Sequence, residues 1–266
     1  MYDTEKRNPR TTHIDRMETL EMLSVINDEN RNSVEAVEKA LPDVARAVDA
    51  VAHAFTQGGR LIYLGAGTSG RIAVMDAAEC PPTYGVDYNQ VIAIIAGGEK
   101  TLVRAAENEE DKPDVGRADL LARNVTAKDV VMGISASGNA AYVEGAMLAA
   151  KELGCVTVSL SSNRDCKIAK VADIAIVTET GPEVITGSTR MKAGNAQKFV
   201  LNMITTGAMV KTGKVYENLM INLRPTNVKL KDRMIRIVCD ILECGRDEAV
   251  ARLEANSWVI RDAIRN

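Results

Sequence analysis

Five short apolar runs set the narrowest limit on what this chain can fold into: Leu61-Ile62-Tyr63-Leu64, Val91 to Ile95, Val130 to Ile134, Val156 to Leu160 and Ile174 to Val177. Runs that are apolar throughout belong to strands with both faces covered, and strands that alternate with helices form a parallel sheet with helices packed on either side. Most of the five are separated by stretches of helical period, so the predicted core is a five-stranded parallel α/β sheet flanked by helices. A chain of 266 residues suits one large domain of this kind with a smaller appendage. In such sheets ligands sit beyond the C-terminal ends of the strands, so the residues just after each run are where chemistry is expected.

Apolar residues recur at spacings of three and four from Thr19 to Asn27 and from Val34 to Phe55, which predicts an N-terminal helical arm interrupted near Pro42. Helix-compatible stretches follow from Ser69 to Ala78, from Thr101, from Ala140 to Leu153 and from about Thr189 to Val210. After Asn227 the chain turns helical again, over Val228 to Ile241 and Arg246 to Ala255, with the polar Glu243-Cys244-Gly245-Arg246 break between them. The expected division is a main domain over residues 1–225, arm included, and a C-terminal helical segment over 226–266. No repeat of fixed period and no low-complexity segment is present.

Composition removes several function classes. A formal charge of −3 and few aromatic residues (Phe55, Phe199, Trp258 and six Tyr) leave neither a polybasic face nor stacking platforms for nucleic acid. The polar N-terminus, Met1 to Arg16, lacks the apolar stretch of a secretory signal or membrane span, so the expectation is a cytoplasmic protein. Five scattered cysteines without Cys-x-x-Cys spacing point to reduced thiols. His13 and His53, both away from the strand ends, leave little room for a histidine triad or a histidine-rich metal site, and acid–base chemistry falls to other groups.

The loop after the first run is Gly65-Ala66-Gly67-Thr68-Ser69-Gly70, between a strand and a helix start. Glycine lets backbone approach an anion, the free N–H groups and the helix dipole attract it, and two hydroxyls add donors. As letters alone the loop also matches the dinucleotide pattern G-x-G-x-x-G. A second loop, Ser135-Ala136-Ser137-Gly138-Asn139, follows another strand and precedes another helix. A dinucleotide fold has no need of it, and wants instead an acidic residue roughly 20 residues past the glycines; the nearest, Glu99, lies farther on, beyond Gly97-Gly98. A phosphate monoester held between two hydroxyl-rich loops fits better. A third loop, Thr186 to Gly194, opens the long helix with hydroxyls and two cations, Arg190 and Lys192, which are also the kind of charges that sit solvated on a surface.

These residues carry a resemblance. The two loops resemble the sugar isomerase (SIS) domain. The stretch from Leu61 through Gly65-Ala66-Gly67-Thr68-Ser69-Gly70-Arg71 and Asp76-Ala77-Ala78-Glu79-Cys80-Pro81-Pro82-Thr83-Tyr84-Gly85 is similar to the signature of the N-acetylmuramic acid 6-phosphate etherases. The likeness continues through Ile95 to Glu99, Ser135 to Gly138, Thr186 to Gly194 and Ala196-Gln197-Lys198, and includes Thr19-Leu20-Glu21-Met22. It departs at Asn139-Ala140, where the family more often carries a cation followed by a hydroxyl residue. The chain also stops some tens of residues earlier than longer family members, so the expectation is either a shortened C-terminal appendage or an incomplete chain. The resemblance implies a SIS-type, flavodoxin-like sandwich and a homodimer with the site near the subunit boundary.

The activity it implies is cleavage of the D-lactyl ether of N-acetylmuramic acid 6-phosphate with water, giving N-acetylglucosamine 6-phosphate and D-lactate, a carbon–oxygen lyase step in amino sugar catabolism and peptidoglycan recycling. Once the sugar opens to its aldehyde, the C2 proton is α to a carbonyl and the lactyl oxygen on C3 lies β to it, so elimination followed by hydration is the economical route. One group must take the C2 proton and another protonate the departing oxygen, and two carboxyls in different environments can do both. The resemblance points to Glu79 as the acid, on a helix expected to end at Cys80-Pro81-Pro82, and to Glu110 as the base. By itself Glu107-Asn108-Glu109-Glu110-Asp111 reads as a solvated helix end. Gly67, Thr68, Ser69, Ser135, Ser137 and the backbone of Gly138 and Asn139 are assigned to the 6-phosphate, with Lys192 as a further anion ligand. No metal or organic cofactor is called for, because the substrate carbonyl itself acidifies the proton. Two other readings share the scaffold: a sugar-phosphate-binding regulator of the glucokinase regulatory protein type, and an aldose–ketose isomerase.

Overall fold

The structure is a computed structural model that describes residues 2–106, 108–225 and 227–265. Its centre is a parallel sheet of five strands: β1 (Leu61–Gly65), β2 (Val91–Ile95), β3 (Val130–Ile134), β4 (Val156–Ser161) and β5 (Ile174–Val177). Their spatial order is β2-β1-β3-β4-β5, the flavodoxin-like arrangement, with Leu61 beside Val91 on one side and Val130 on the other. Every residue of β1 and β3 is buried, as central strands covered on both faces require.

Alternation along the strands sends side chains into two separate cores. Leu61 and Tyr63, with Val130, Met132 and Ile134, pack beneath helices α1 (Thr19–Thr56), α2 (Gly67–Tyr84) and α7 (Lys192–Lys211). Ile62, Leu64 and Val131 point the other way, toward α4 (Pro113–Leu121), α5 (Ala141–Glu152) and α6 (Lys167–Val171). Gly133 in β3 is demanded by this packing, since a Cβ there would stand 2.3 Å from Met147 Sδ.

Three expectations about helices need correction. The N-terminal arm is one helix of 38 residues that runs through Pro42. The proline removes the hydrogen bond to the Glu38 carbonyl, but both residues lie on the exposed face, where water can serve that carbonyl. In the same way α2 does not stop at Cys80-Pro81-Pro82 but continues to Tyr84, where Gly85, at φ 62°, ends it by donating its N–H to the Pro81 carbonyl. Burial of Ala73, Ala77 and Cys80 against the sheet outweighs the two missing donors. The helix expected from Thr101 is a single turn, α3 (Lys100–Val103), followed by the loop that carries Glu110 and then by α4.

A hairpin, β6 (Val215–Tyr216) and β7 (Leu219–Met220), leads to α8 (Val228–Leu242), α9 (Arg246–Ala255) and α10 (Ile260–Ala263). These helices build a third core of their own around Met234, Val238, Leu253 and Ile260. It draws in Leu219, Met220, Ile221 and Leu223, so its packing begins ahead of residue 226. Asn227 caps α8 by accepting the Leu230 N–H at 2.8 Å.

Candidate functional site

The strand order decides where a ligand can sit. From β1 the chain leaves toward β2 at one edge, and from β3 it leaves toward β4 on the other side, so the loops after β1 and β3 part and open a crevice between two adjacent central strands. These are the two loops singled out by their hydroxyls and glycines.

The first loop joins β1 to α2 through Ala66 alone. Gly65 and Gly70 pack against each other, and a Cβ on Gly70 would stand 2.8 Å from the Gly65 carbonyl oxygen and 2.5 Å from Ile95 Cγ1. Gly67 begins the helix at φ 53°, with no atom within 4 Å of where its Cβ would stand, so that side of the loop is open. Among the described residues no side chain caps α2. The first N–H groups of a helix have no partner within it, and here they are left for a ligand.

The second loop folds on itself. Gly138, at φ 75°, donates its N–H to Ser135 Oγ at 3.1 Å, Asn139 donates its N–H to Ser137 Oγ at 3.2 Å, and the two serine hydroxyls stand 3.4 Å apart. The Asn139 side chain turns back to the Ser137 carbonyl at 2.9 Å. A Cβ on Gly138 would collide with Cys166 Sγ at 2.2 Å. Gly138 and Asn139 therefore shape the loop from behind, while Ser135 and Ser137 face the crevice.

A cavity of about 260 Å³ lies between the loops, lined by Gly67, Thr68, Ser69, Ser135, Ser137 and Glu110 among others. A second lobe of about 380 Å³ shares Ala66, Gly67 and Glu110 with it. Glu110 thus stands at the junction of the two lobes, on the turn Glu109–Asp111. Glu107 lies outside the described residues. Further contributors are Gly187 and Thr189, from the third loop that the sequence singled out without assigning these two to the ligand, and Glu5 of the N-terminal segment, which sequence reasoning passed over. That segment is tied to the second loop by the Tyr2 hydroxyl, which donates to Asn139 Oδ1 at 3.4 Å, and nothing local in its sequence announces the contact.

Four assigned residues do not line the cleft: Gly138 and Asn139, whose N–H groups go to the two serine hydroxyls, and Glu79 and Lys192. Glu79 is exposed on α2, twelve residues beyond Gly67 and so about 18 Å farther along the axis. Beneath it Asp76 is buried, receiving hydrogen bonds from Tyr63 Oη at 2.9 Å, Asn202 Nδ2 at 2.6 Å and Thr205 Oγ1 at 3.2 Å. Burial pushes the Asp76 pKa up, and those bonds restrain the rise. Lys192 is 1% exposed and directs its ammonium to Glu29 Oε2 at 2.6 Å, away from the loops. Glu29 also accepts from Asn8 at 2.7 Å and Arg10 at 3.0 Å. Burial raises its pKa, but the bonds from Lys192 and Asn8 and the two cations outweigh that and hold it below the usual value. The N-terminus of α7 is filled as well: the N–H groups of Lys192 and Ala193 donate to the two oxygens of buried Glu183 at 3.0 and 2.9 Å. Desolvation raises the Glu183 pKa against the pull of those two donors.

Among the described residues no group of three or more His, Cys, Asp or Glu is placed to hold a metal ion. No helix among them is long and apolar enough to cross a membrane.

Residues 43–151, which hold both loops and Glu110, match the family model of the glucokinase regulatory protein N-terminal SIS domain. Over almost the whole chain the likeness is more specific. The N-acetylmuramic acid 6-phosphate etherase of Serratia proteamaculans is 53% identical over 261 residues, 98% of this chain and 88% of that protein. The etherase of Pasteurella multocida is 52% identical over 95% of this chain and 84% of its own length. The chain belongs to the N-acetylmuramic acid 6-phosphate etherase family. Among solved structures, a phosphoheptose isomerase from Neisseria gonorrhoeae superposes on this etherase-family chain with a TM-score of 0.54 at 22% identity, covering 73% of this chain and 98% of that one. That likeness speaks for the fold: the etherase-family chain is built on the same SIS-type sandwich.

Proposed function

We propose that this cleft is where the chain hydrolyses the D-lactyl ether of N-acetylmuramic acid 6-phosphate to N-acetylglucosamine 6-phosphate and D-lactate. The observation that carries the reading is the meeting of both strand-end loops and Glu110 on one cavity at the switch point of the sheet. The 6-phosphate sits between Thr68 and Ser69 on one side and Ser135 and Ser137 on the other, against the uncapped start of α2. Anchoring the phosphate there holds C2 and C3 in reach of Glu110, an orientation effect that makes a weak base useful.

Glu110 takes the C2 proton of the open-chain aldehyde. The C–H electron pair forms the C2–C3 double bond, the C3–O bond breaks, and the lactyl oxygen leaves with a proton from the acid. Water then adds at C3 and a proton returns to C2. Glu79 is the proposed acid, and its place on the outer face of α2 makes it available to a second copy of the chain rather than to its own cleft. The same face supports a homodimer: Met75, one turn before Glu79, is 41% exposed, and the neighbouring helix α7 leaves Phe199, Met203 and Val210 exposed along one side.

Incubation with N-acetylmuramic acid 6-phosphate tests the reading, with D-lactate release as the expected result. In heavy-oxygen water the label is expected on sugar C3 and not in lactate. Absence of lactate, with sugar phosphate still bound or isomerised, would transfer the cleft to a regulator or an isomerase.

A further inference from the structure

The second lobe of the site has a chemistry of its own. Beyond Glu110 it is walled by the small side chains of Ala66, Ala96, Ala105 and Ala106, and among the described residues it contains one cation, Arg71. Arg71 projects from the second turn of α2 and is half-buried. Its Nε donates to the Leu102 carbonyl at 3.1 Å and one terminal nitrogen donates to the Thr101 carbonyl at 2.6 Å. Both partners are neutral. Among the described residues no carboxylate lies within ion-pair distance of it, although Glu109, Glu110 and Asp111 share the same cavity. Glu109 instead pairs with Lys112 at 2.9 Å.

A guanidinium carries five N–H donors in a planar fork. Two are engaged here with backbone carbonyls, which fixes the plane of the group and leaves the remaining donors and the whole positive charge to the cavity. We infer that Arg71 and the alanine-lined lobe form a subsite for a small 2-oxycarboxylate, the carboxylate on the guanidinium and its methyl among the alanines. Resting on the proposed function, this subsite takes the lactyl arm of the substrate and, after cleavage, the leaving lactate. A neutral acetamido group has no charge for Arg71 to meet, so the lobe is assigned to lactyl rather than N-acetyl. Phosphate in one lobe and lactyl carboxylate in the other then place the bonds that break at the junction where Glu110 stands.

The same bonds to Thr101 and Leu102 tether the turn ahead of the Glu110 loop, and a purely structural Arg71 is the rival account. Two activities of the cleft separate them. Lactate release needs the lactyl arm, whereas exchange of the C2 proton of N-acetylglucosamine 6-phosphate with deuterium in D2O needs only the phosphate loops and a correctly placed Glu110. For Arg71→Met and Arg71→Lys, kcat/KM for lactate release is expected to fall by about 10- to 100-fold, the loss of a charge-assisted hydrogen-bonded pair, with C2 exchange close to native. Equal loss in both activities would reduce Arg71 to a tether and overturn the subsite, as would no loss in either. The native protein supplies a check free of folding effects. A substrate with its lactyl carboxylate converted to carboxamide is expected to lose a similar factor, and equal turnover of acid and amide would overturn the inference. Failure of the native protein to release lactate from the parent substrate would instead strike the proposed function itself.

Discussion

Two helix N-termini meet at this cleft, and only one of them is open. The first turns of α2 and α7 are neighbours: Thr68 Cγ2 lies 3.6 Å from where a Cβ on Gly194 would stand. Both follow loops rich in glycine and hydroxyls, and both present the N–H groups and dipole that attract anions. The start of α2 has no side-chain cap among the described residues, and a cavity opens in front of it. The start of α7 is closed by Glu183, an anion supplied by the chain itself, and Lys192 beside it turns inward to Glu29. A helix N-terminus is thus a ligand site only where the fold has not already brought it a carboxylate.

The largest expected effect tests the open side. Glu110→Gln should lower lactate release by about 100- to 10,000-fold, the usual worth of a general base, while phosphate-ester binding, measured by calorimetry, survives. Glu79→Gln should be equally inactive. If Glu79 acts across a dimer, an equal mixture of the two variants regains about a quarter of native activity, since half the dimers are mixed and each holds one intact site; no recovery would return Glu79 to its own protomer or remove it from the mechanism.

The closed side should respond in stability. Lys192→Met leaves Glu29 in the interior with only Asn8 and the exposed Arg10 as partners and is expected to cost about 3 kcal/mol in chemical denaturation, the lower end for a broken buried pair, with little change in KM for the folded fraction. A weakened KM at native stability would reopen α7 as a phosphate site. The reverse is expected of Ser137→Ala: native stability within about 1 kcal/mol, and sugar-phosphate affinity lower by about 10- to 100-fold through loss of a hydrogen bond to a charged group.

The smallest effect is in pH. Because Glu29 has its pKa lowered in the fold, its contribution to stability is present above the unfolded value, near 4.5, and is lost as pH falls through the lower folded value. Unfolding free energy should therefore decline below about pH 4.5, and the decline should be shallower in Lys192→Met, where the main hydrogen bond holding the shift is gone.

Legibility in the sequence followed the range of the interactions. The five strands were readable to within a residue, because apolar runs between turn signals are local, and so were the two phosphate loops, because strand, glycine and helix start are contiguous. Lys192 was misplaced for the opposite reason. Its partner Glu29 lies 163 residues away, and nothing near Lys192 marks it as buried. Glu5 was missed likewise, since only folding brings the N-terminal segment against Ser137 and Thr189. Pro42 and Pro81-Pro82 misled because proline is a local penalty, whereas the long helices that override it are held by packing against the sheet.

The amino-acid order by itself determined the sheet, the family and the chemical character of the strand tips, all of which depend on neighbours along the chain. Tertiary structure alone decided which charges are spent inside and which remain for a substrate. It closed α7 with Glu183, neutralised Lys192 with Glu29, left Arg71 facing a cavity and set Glu79 on an outer face. The physical reason is that the worth of a charge depends on burial and on its partners in space, and neither can be read from position along the chain.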